Sequence, residues 1–148
     1  MFQTVKQKAD QFFFFNHRIN DLRGSRVGII GEGSLGSTVA SIRMNGFGME
    51  PVFLDHDFVN PDERRSKTFL SFNEFMASMD IISVHCPLTS HTENLLNLEA
   101  FGRMKKSAIV INTARGAVIN EKDLCQAINE GMISGAAIDV LSSEPPAQ

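Results

Sequence analysis

VGIIGEGSLG, residues 27–36, decides how this chain folds. Val27–Ile30 is a short, mostly β-branched run without polar alternation, the pattern of a strand covered on both faces. It passes directly into Gly31, Gly33 and Gly36, spaced G-x-G-x-x-G. The first glycine permits a tight turn, the second lets a phosphate reach the backbone, and the third lets the next helix pack close to the sheet. A helical pattern with Val39, Ile42 and Met44 follows. The start of such a helix offers unpaired N–H groups and a partial positive charge. A second apolar run, Val52–Leu54, opened by Pro51, ends at Asp55, nineteen residues past Gly36. A carboxylate there accepts both hydroxyls of an adenosine ribose and repels a 2′-phosphate. Strand, glycine turn, helix, strand and acid in that order predict a dinucleotide site. Gly31, Gly33, Ser34, Leu35, Gly36 and Asp55 are its candidate residues, with NAD preferred to NADP.

The alternation continues along the chain. Ile81–Val84, Ala108–Ile111 and Ala136–Val140 read as further strands. Between them, Ser71 and Glu74 form a capping box ahead of Phe72, Phe75, Met76 and Met79 at helical spacing. Asn97 caps a shorter helix through Leu98, Phe101 and Met104. Asn120 caps another, with Asp123 at its third position, Leu124, Ala127 and Ile128 on its inner face and Gly131 closing it. There is no internal repeat. Strand–helix alternation of this kind predicts right-handed βαβ units and an α/β fold: a doubly wound, Rossmann-like parallel sheet in a three-layer sandwich. Ligands of such sheets bind at the carboxyl ends of the strands. INTARGAVIN, residues 111–120, delivers a guanidinium to one of those ends, because Arg115 follows the run Ala108–Ile111 among small residues. Arg115 is therefore a site candidate on position alone.

Composition narrows the class. With 148 residues, 43% hydrophobic and 21% charged, the chain can bury a core of domain size. Fourteen basic against seventeen acidic residues, with no basic block, recommend neither nucleic acid nor an anionic membrane as partner. Cys86 and Cys125 fit no metal spacing and no disulfide framework, so reduced thiols and a cytoplasmic location are expected. No metal is expected. Phe12–Phe15 is too short for a signal-peptide core, and no stretch approaches a membrane span. Arg64 and Arg65 read as a solvated pair on a loop.

Four stretches, DLRGSRVGIIGEGSLG, MDIISVHCPLTSHTENLLN, FGRMKKSAIVINTARGAVINEKDL and GMISGAAIDVLSSEPP, resemble the NAD-dependent D-isomer-specific 2-hydroxyacid dehydrogenases in their order and spacing. The resemblance covers Asp21 to Pro146. It implies that Arg115 binds the carboxylate and the reacting 2-oxo group of a 2-oxo acid, chemistry that a planar fork of donors suits and a lysine does not. It also implies that Glu144 hydrogen-bonds a histidine that serves as the acid in reduction. Asp139 takes the nicotinamide carboxamide, assisted by backbone around Thr113 and Ala114. His85, Cys86 and Pro87 pass the cofactor ribose, and Thr92 lies near the phosphates. None of His17, His56, His85 and His91 occupies the place of the family's histidine.

On this resemblance, residues 1–23 are a connecting helix carrying the Phe run and residues 24–148 are the dinucleotide-binding domain. The substrate domain and the catalytic histidine are expected to lie outside this chain, leaving it inactive alone. Phe12–Phe15 cannot all face one side, which points to a partner surface, and a homodimer is expected. Glu32 and Ser34 stand where family members commonly carry a hydrophobic residue and an arginine, and each departure weakens cofactor binding by on the order of 1 kcal/mol. The segment from Gly36 to Asp55 is one residue longer than the family's usual span. The alternative reading is an NAD-dependent interaction module without turnover, like the corepressor relatives of this family.

Overall fold

The computed structural model describes residues 21–56, 62 and 66–143. In chain order these form β1 (Arg26–Ile30), α1 (Ser34–Phe47), β2 (Glu50–Leu54), β3 (Phe69–Leu70), α2 (Phe72–Ser78), β4 (Ile81–Val84) and α3 (Leu98–Arg103). Then come β5 (Ile109–Asn112), a single 3-10 turn (Gly116–Val118), α4 (Glu121–Asn129) and β6 (Gly135–Ile138). The six strands make one sheet in the order β3-β2-β1-β4-β5-β6, and every neighbouring pair is parallel. The strand order reverses between β1 and β4, where a doubly wound sheet opens its crevice.

Register aligns the carboxyl ends. Ile30 pairs with Val84, Val84 with Asn112, and Asn112 with Ile138. The next residue of each strand (Gly31, His85, Thr113 and Asp139) therefore stands on one edge of the sheet. Asp55 stands there too, directly after β2.

Strand parity makes two cores. Ile30, Val52, Leu54, Ile82, Val84 and Val110 turn to the face covered by Phe75, Met76 and Met79 at α2, Phe101 of α3 and Leu124 and Ala127 of α4. Val27, Ile29 and Phe53 turn to the other face, under Ala40 of α1 and Met49. Helices lie on both sides, so the sandwich has three layers. Over β5 and β6 the α1 side is open among the described residues: Ile109 and Ala137 are exposed and Ile111 is half-buried. Parallel sheets are normally covered on both faces.

The helix ends follow the caps. Asn97 Oδ1 accepts the Ala100 N–H at 3.0 Å and Asn120 Oδ1 accepts the Asp123 N–H at 3.2 Å. The Asp123 carboxylate in turn accepts the Leu98 N–H at 2.9 Å, tying α4 to α3. At α2 the capping box closes between side chains, with Ser71 Oγ donating to Glu74 Oε2 at 2.6 Å and no bond to the helix N–H groups.

Four expectations differ in detail. β6 ends at Ile138, so Asp139 lies just past the strand rather than in it. Pro51 is the second residue of β2, which begins at Glu50. The inner face of α1 is built from Gly36 and Ala40, leaving Ile42 and Met44 exposed, and Ile128 of α4 is exposed as well. The short strand β3 carried no signal of its own, because two residues give no periodicity. The connecting helix up to residue 20, Phe12–Phe15, Arg64, Arg65 and Glu144 lie outside the described residues.

Candidate functional site

The glycine turn has the shape that its spacing requires. Gly31 has φ +104°, and a Cβ there would come within 2.9 Å of the His85 carbonyl and 2.8 Å of the Cys86 nitrogen, at the crevice between β1 and β4. A Cβ at Gly36 would overlap the Gly31 carbonyl oxygen, so only glycine lets α1 start this close to the strand. A Cβ at Gly33 would meet nothing within 4 Å. The loop is thus closed behind and open in front, and α1 begins at Ser34 and Leu35, both exposed, with its first N–H groups facing that opening. These residues fit the diphosphate of a dinucleotide. Asp55, with its Oδ1 buried, stands directly after β2 on the same edge of the sheet.

Glu32 is half-buried and turned toward the end of β2. Its Oε2 meets His56 Nε2 at 2.9 Å, bridging the glycine turn to the end of β2. Burial works against its charge, but hydrogen bonds from His56 and its own backbone N–H, with the charges of His56 and Lys67, hold its carboxyl below the usual range. Below the loop, Ser37 Oγ donates to the Glu32 carbonyl at 2.7 Å and accepts from Lys67 Nζ at 3.0 Å.

On the other side of the crevice, His85 is half-buried and shares a hydrogen bond with Ser83 Oγ at 2.9 Å. Burial lowers its basicity, so the ring is neutral near pH 7. Cys86 is buried and its thiol is pushed up by that burial, against a smaller backbone hydrogen bond, which makes it packing rather than a nucleophile. Pro87 opens an exposed loop that Thr92 staples: its Oγ1 donates to the Pro87 carbonyl at 2.7 Å and accepts the Thr89 N–H at 2.8 Å.

After β5 the chain turns through Thr113, Ala114 and Arg115 into the 3-10 turn. The side chain of Asn112, fully buried, sets that turn: Oδ1 accepts the Ala114 N–H at 3.0 Å and Nδ2 donates to the Arg115 carbonyl at 2.9 Å. Arg115 itself is exposed, and its Nη1 donates to the Ala114 carbonyl at 2.7 Å. Asp139 is exposed just past β6, level with Thr113, its N–H donating to the Asn112 carbonyl at 3.0 Å. A Cβ at Gly116 would overlap Leu141 and Ser142, so the segment leaving β6 packs onto the arginine loop. The structure thus brings Gly31, Gly33, Ser34, Leu35, Gly36, Asp55, His85, Cys86, Thr113, Ala114, Arg115 and Asp139 to one edge of the sheet, with Pro87 and Thr92 on the adjoining loop. Sequence reasoning missed Asn112, Ser83 and the Glu32–His56 bridge. Asn112 had a legible signal, a polar side chain closing an apolar strand.

A family model matches this chain over residues 3–148: D-isomer specific 2-hydroxyacid dehydrogenase, NAD binding domain. The chain belongs to this family. Within it, the chain is 40% identical over 139 residues to the glycerate dehydrogenase of Methylorubrum extorquens, covering 94% of this chain and 42% of that protein. Its fold is that of the NAD-complexed D-isomer specific 2-hydroxyacid dehydrogenase of Lactobacillus delbrueckii ssp. bulgaricus, with a TM-score of 0.83 and 33% identity over 95% of this chain and 43% of that one. An acyclic imino acid reductase solved in complex with NADPH and D-arginine is equally close in fold, with a TM-score of 0.84 and 30% identity over 98% of this chain and 46% of that one. The chain spans about two fifths of the length of the relatives it matches. It is an NAD-binding domain of the family. Among the described residues there is no group of three metal-ligating side chains, and no helix is long and apolar enough to cross a membrane.

Proposed function

We propose that residues 24–148 bind NAD(H) and present Arg115 to a 2-oxo acid in a D-2-hydroxyacid dehydrogenase, with residues 1–23 connecting to a substrate domain. The single observation that carries this reading is the common edge: Gly31, Asp55, His85, Thr113 and Asp139 each stand one residue past an aligned strand end, with Arg115 in the same turn as Thr113.

The bound cofactor supplies a hydride for the C2 carbon of the acid. The chain's own groups do the rest. Gly31, Gly33 and Gly36 with the N–H groups of Ser34 and Leu35 hold the diphosphate, and Asp55 holds the adenosine ribose. His85, Cys86, Pro87 and Thr92 line the passage of the second ribose and the phosphates. Asp139 takes the carboxamide, with Thr113 and Ala114 backbone beside it. Arg115 takes the carboxylate and polarises the 2-oxo group through charge-assisted bonds. Glu144 holds protonated a histidine supplied from the substrate half. The chain alone lacks turnover, because half of the cleft comes from elsewhere.

The protein works in the cytoplasm as a homodimer, without nucleic acid or membrane as partner. The exposed apolar side chains along α1, with Leu35 72%, Ile42 55% and Phe47 46% accessible, support a subunit contact. No specific observation favours the interaction-module alternative.

Isothermal calorimetry with NADH tests the reading. Binding without turnover of pyruvate or hydroxypyruvate by the 148-residue chain is the expected result. Absence of NADH binding overturns the site, and turnover by the chain alone overturns the division of labour.

A further inference from the structure

We propose that Ser83 is a positioning residue for the dinucleotide: its hydroxyl fixes the tautomer of His85, so that the ring presents an Nδ1–H donor to an acceptor oxygen of the cofactor. The inference rests on the reading of the strand edge as the dinucleotide site. It starts from a polar residue in an apolar strand. In β4, Ile81–Val84, Ser83 is only 5% exposed. Register sets it between Ile29 of β1 and Ile111 of β5, on the face of the sheet that α1 covers over β1. Burying a hydroxyl among such neighbours is unfavourable unless a hydrogen bond compensates.

Among the described residues that hydroxyl has one hydrogen-bond partner, His85 Nε2 at 2.9 Å. Burial holds the ring below its usual basicity and so in its neutral form, which allows two arrangements. In one, Nε2–H donates to the hydroxyl oxygen, and the hydroxyl hydrogen is left buried without an acceptor. In the other, Ser83 Oγ–H donates to Nε2, only an oxygen lone pair goes unfilled, and the ring proton sits on Nδ1. An orphaned buried donor is less favourable than an unfilled lone pair. Ser83 therefore donates, and His85 is the Nδ1–H tautomer.

The place of the ring gives the tautomer its consequence. His85 stands level with Gly31, because Val84 pairs with Ile30. Its N–H donates to the Ile30 carbonyl at 2.8 Å, and its own carbonyl backs the glycine turn. Nδ1 has no protein partner among the described residues and is not one of their enclosed unpartnered atoms, so it is open to water at this edge of the sheet. The oxygens of a dinucleotide diphosphate accept hydrogen bonds and donate none. Toward them an Nδ1–H attracts, while a bare Nδ1 sets lone pair against lone pair. Ser83 touches no cofactor in this scheme; it acts through the ring.

The test reads the ring and the ligand separately. Imidazole nitrogen–proton correlation NMR spectra of the unaltered chain, recorded at about pH 8 where the ring is neutral, show which nitrogen carries the proton. The His85 signals are identified by their absence from His85→Gln. The proton is expected on Nδ1, and the Nδ1 signal should move when NADH is added. Ser83→Ala should shift the proton toward Nε2 and weaken NADH binding about fivefold in calorimetry, the effect of one hydrogen bond. Ser83→Thr keeps the hydroxyl and should restore the Nδ1 proton, with NADH affinity within about twofold of the unaltered chain. A proton on Nε2 in the unaltered chain overturns the inference. So does a folded Ser83→Ala that keeps the Nδ1 proton, or one that loses it and binds NADH at full strength. Each of these leaves the proposed function standing. Binding of no NADH by the unaltered chain overturns the site reading, and this inference with it. If Ser83→Ala fails to fold, the unaltered chain decides alone: an Nδ1 signal unmoved by bound NADH overturns the inference.

Discussion

Asn112 holds Arg115 by its backbone: the buried amide donates from Nδ2 to the Arg115 carbonyl at 2.9 Å while its Oδ1 takes the Ala114 N–H. A polar side chain at 0% exposure is tolerated in this strand because both ends of its amide are satisfied. It aims the loop that carries the proposed substrate-binding guanidinium without touching any ligand.

Asn112→Ala removes both bonds and strands two backbone groups beside the core. The expected loss is about 2 kcal/mol, or a melting temperature lower by roughly 4–8 °C. Asn112→Asp keeps an acceptor for Ala114 and should recover part of the loss. Melting curves of the two variants check this. Equal stability of Asn112→Ala and the unaltered chain would show that the loop is set by something else, such as the packing of Leu141 on Gly116.

Gly33 and Gly36 separate fold from ligand. Gly36→Ala drives a methyl into the Gly31 carbonyl and is expected to cost more than about 3 kcal/mol, since backbone rather than a flexible side chain must give way. Gly33→Ala meets no protein atom within 4 Å and its φ of −59° suits any residue. The fold should lose less than about 1 kcal/mol, while NADH affinity falls at least tenfold because the methyl stands where the phosphate approaches. Calorimetry and melting on both proteins decide it. Full NADH affinity in Gly33→Ala would place the phosphate elsewhere.

Much of the fold was legible because several local signals agreed: apolar strand runs, asparagine caps and glycines at fixed offsets. Asn97 and Asn120 cap their helices as their spacing requires. What escaped the sequence was tertiary. Ile42 and Met44 follow helical spacing yet face outward, because the close approach of α1 at Gly36 and Ala40 rotates the packed face onto its smallest residues. Glu32, His56 and Lys67 lie far apart in sequence, and only the adjacency of β1 and β2 brings them together. The family resemblance pointed to the residues after the strands, but the bridge starts from Glu32, a departure from the family pattern, which a resemblance does not describe.

An exposed face of α1 makes the proposed subunit contact testable. Ile42→Glu places a charge two turns from Leu35 on the same exposed face, on the outside of a helix whose buried contacts are made by Gly36 and Ala40. Stability of the fold should change by less than about 0.5 kcal/mol, while sedimentation should shift from dimer to monomer. A charge buried in an interface without a partner costs several kcal/mol, enough to abolish a micromolar dimer. A dimer that survives Ile42→Glu is built on another face.

Asp80 supplies a pH-dependent part of the stability far from the site. Its Oδ2 accepts the Arg26 N–H at 2.9 Å and its Oδ1 accepts from Lys105 Nζ at 2.7 Å, pinning the start of β1 to β4 and to the turn before β5. Burial pushes its carboxyl up, but the bonds from Lys105 and the Arg26 N–H, with the charges of both residues, outweigh it and hold it below the usual range. A group with a depressed folded-state value stabilises above its unfolded-state value, and that contribution disappears as pH falls through the folded one. With a third of the side chain in water, the contribution is discounted for screening to about 1 kcal/mol. Asp80→Asn should therefore melt roughly 2–4 °C lower than the unaltered chain at pH 7. The two curves should converge as the pH drops below the carboxylate range, where Asp80 is itself neutral. A difference in melting temperature that stays constant across that range would mean that Asp80 acts through shape alone, with its charge contributing nothing.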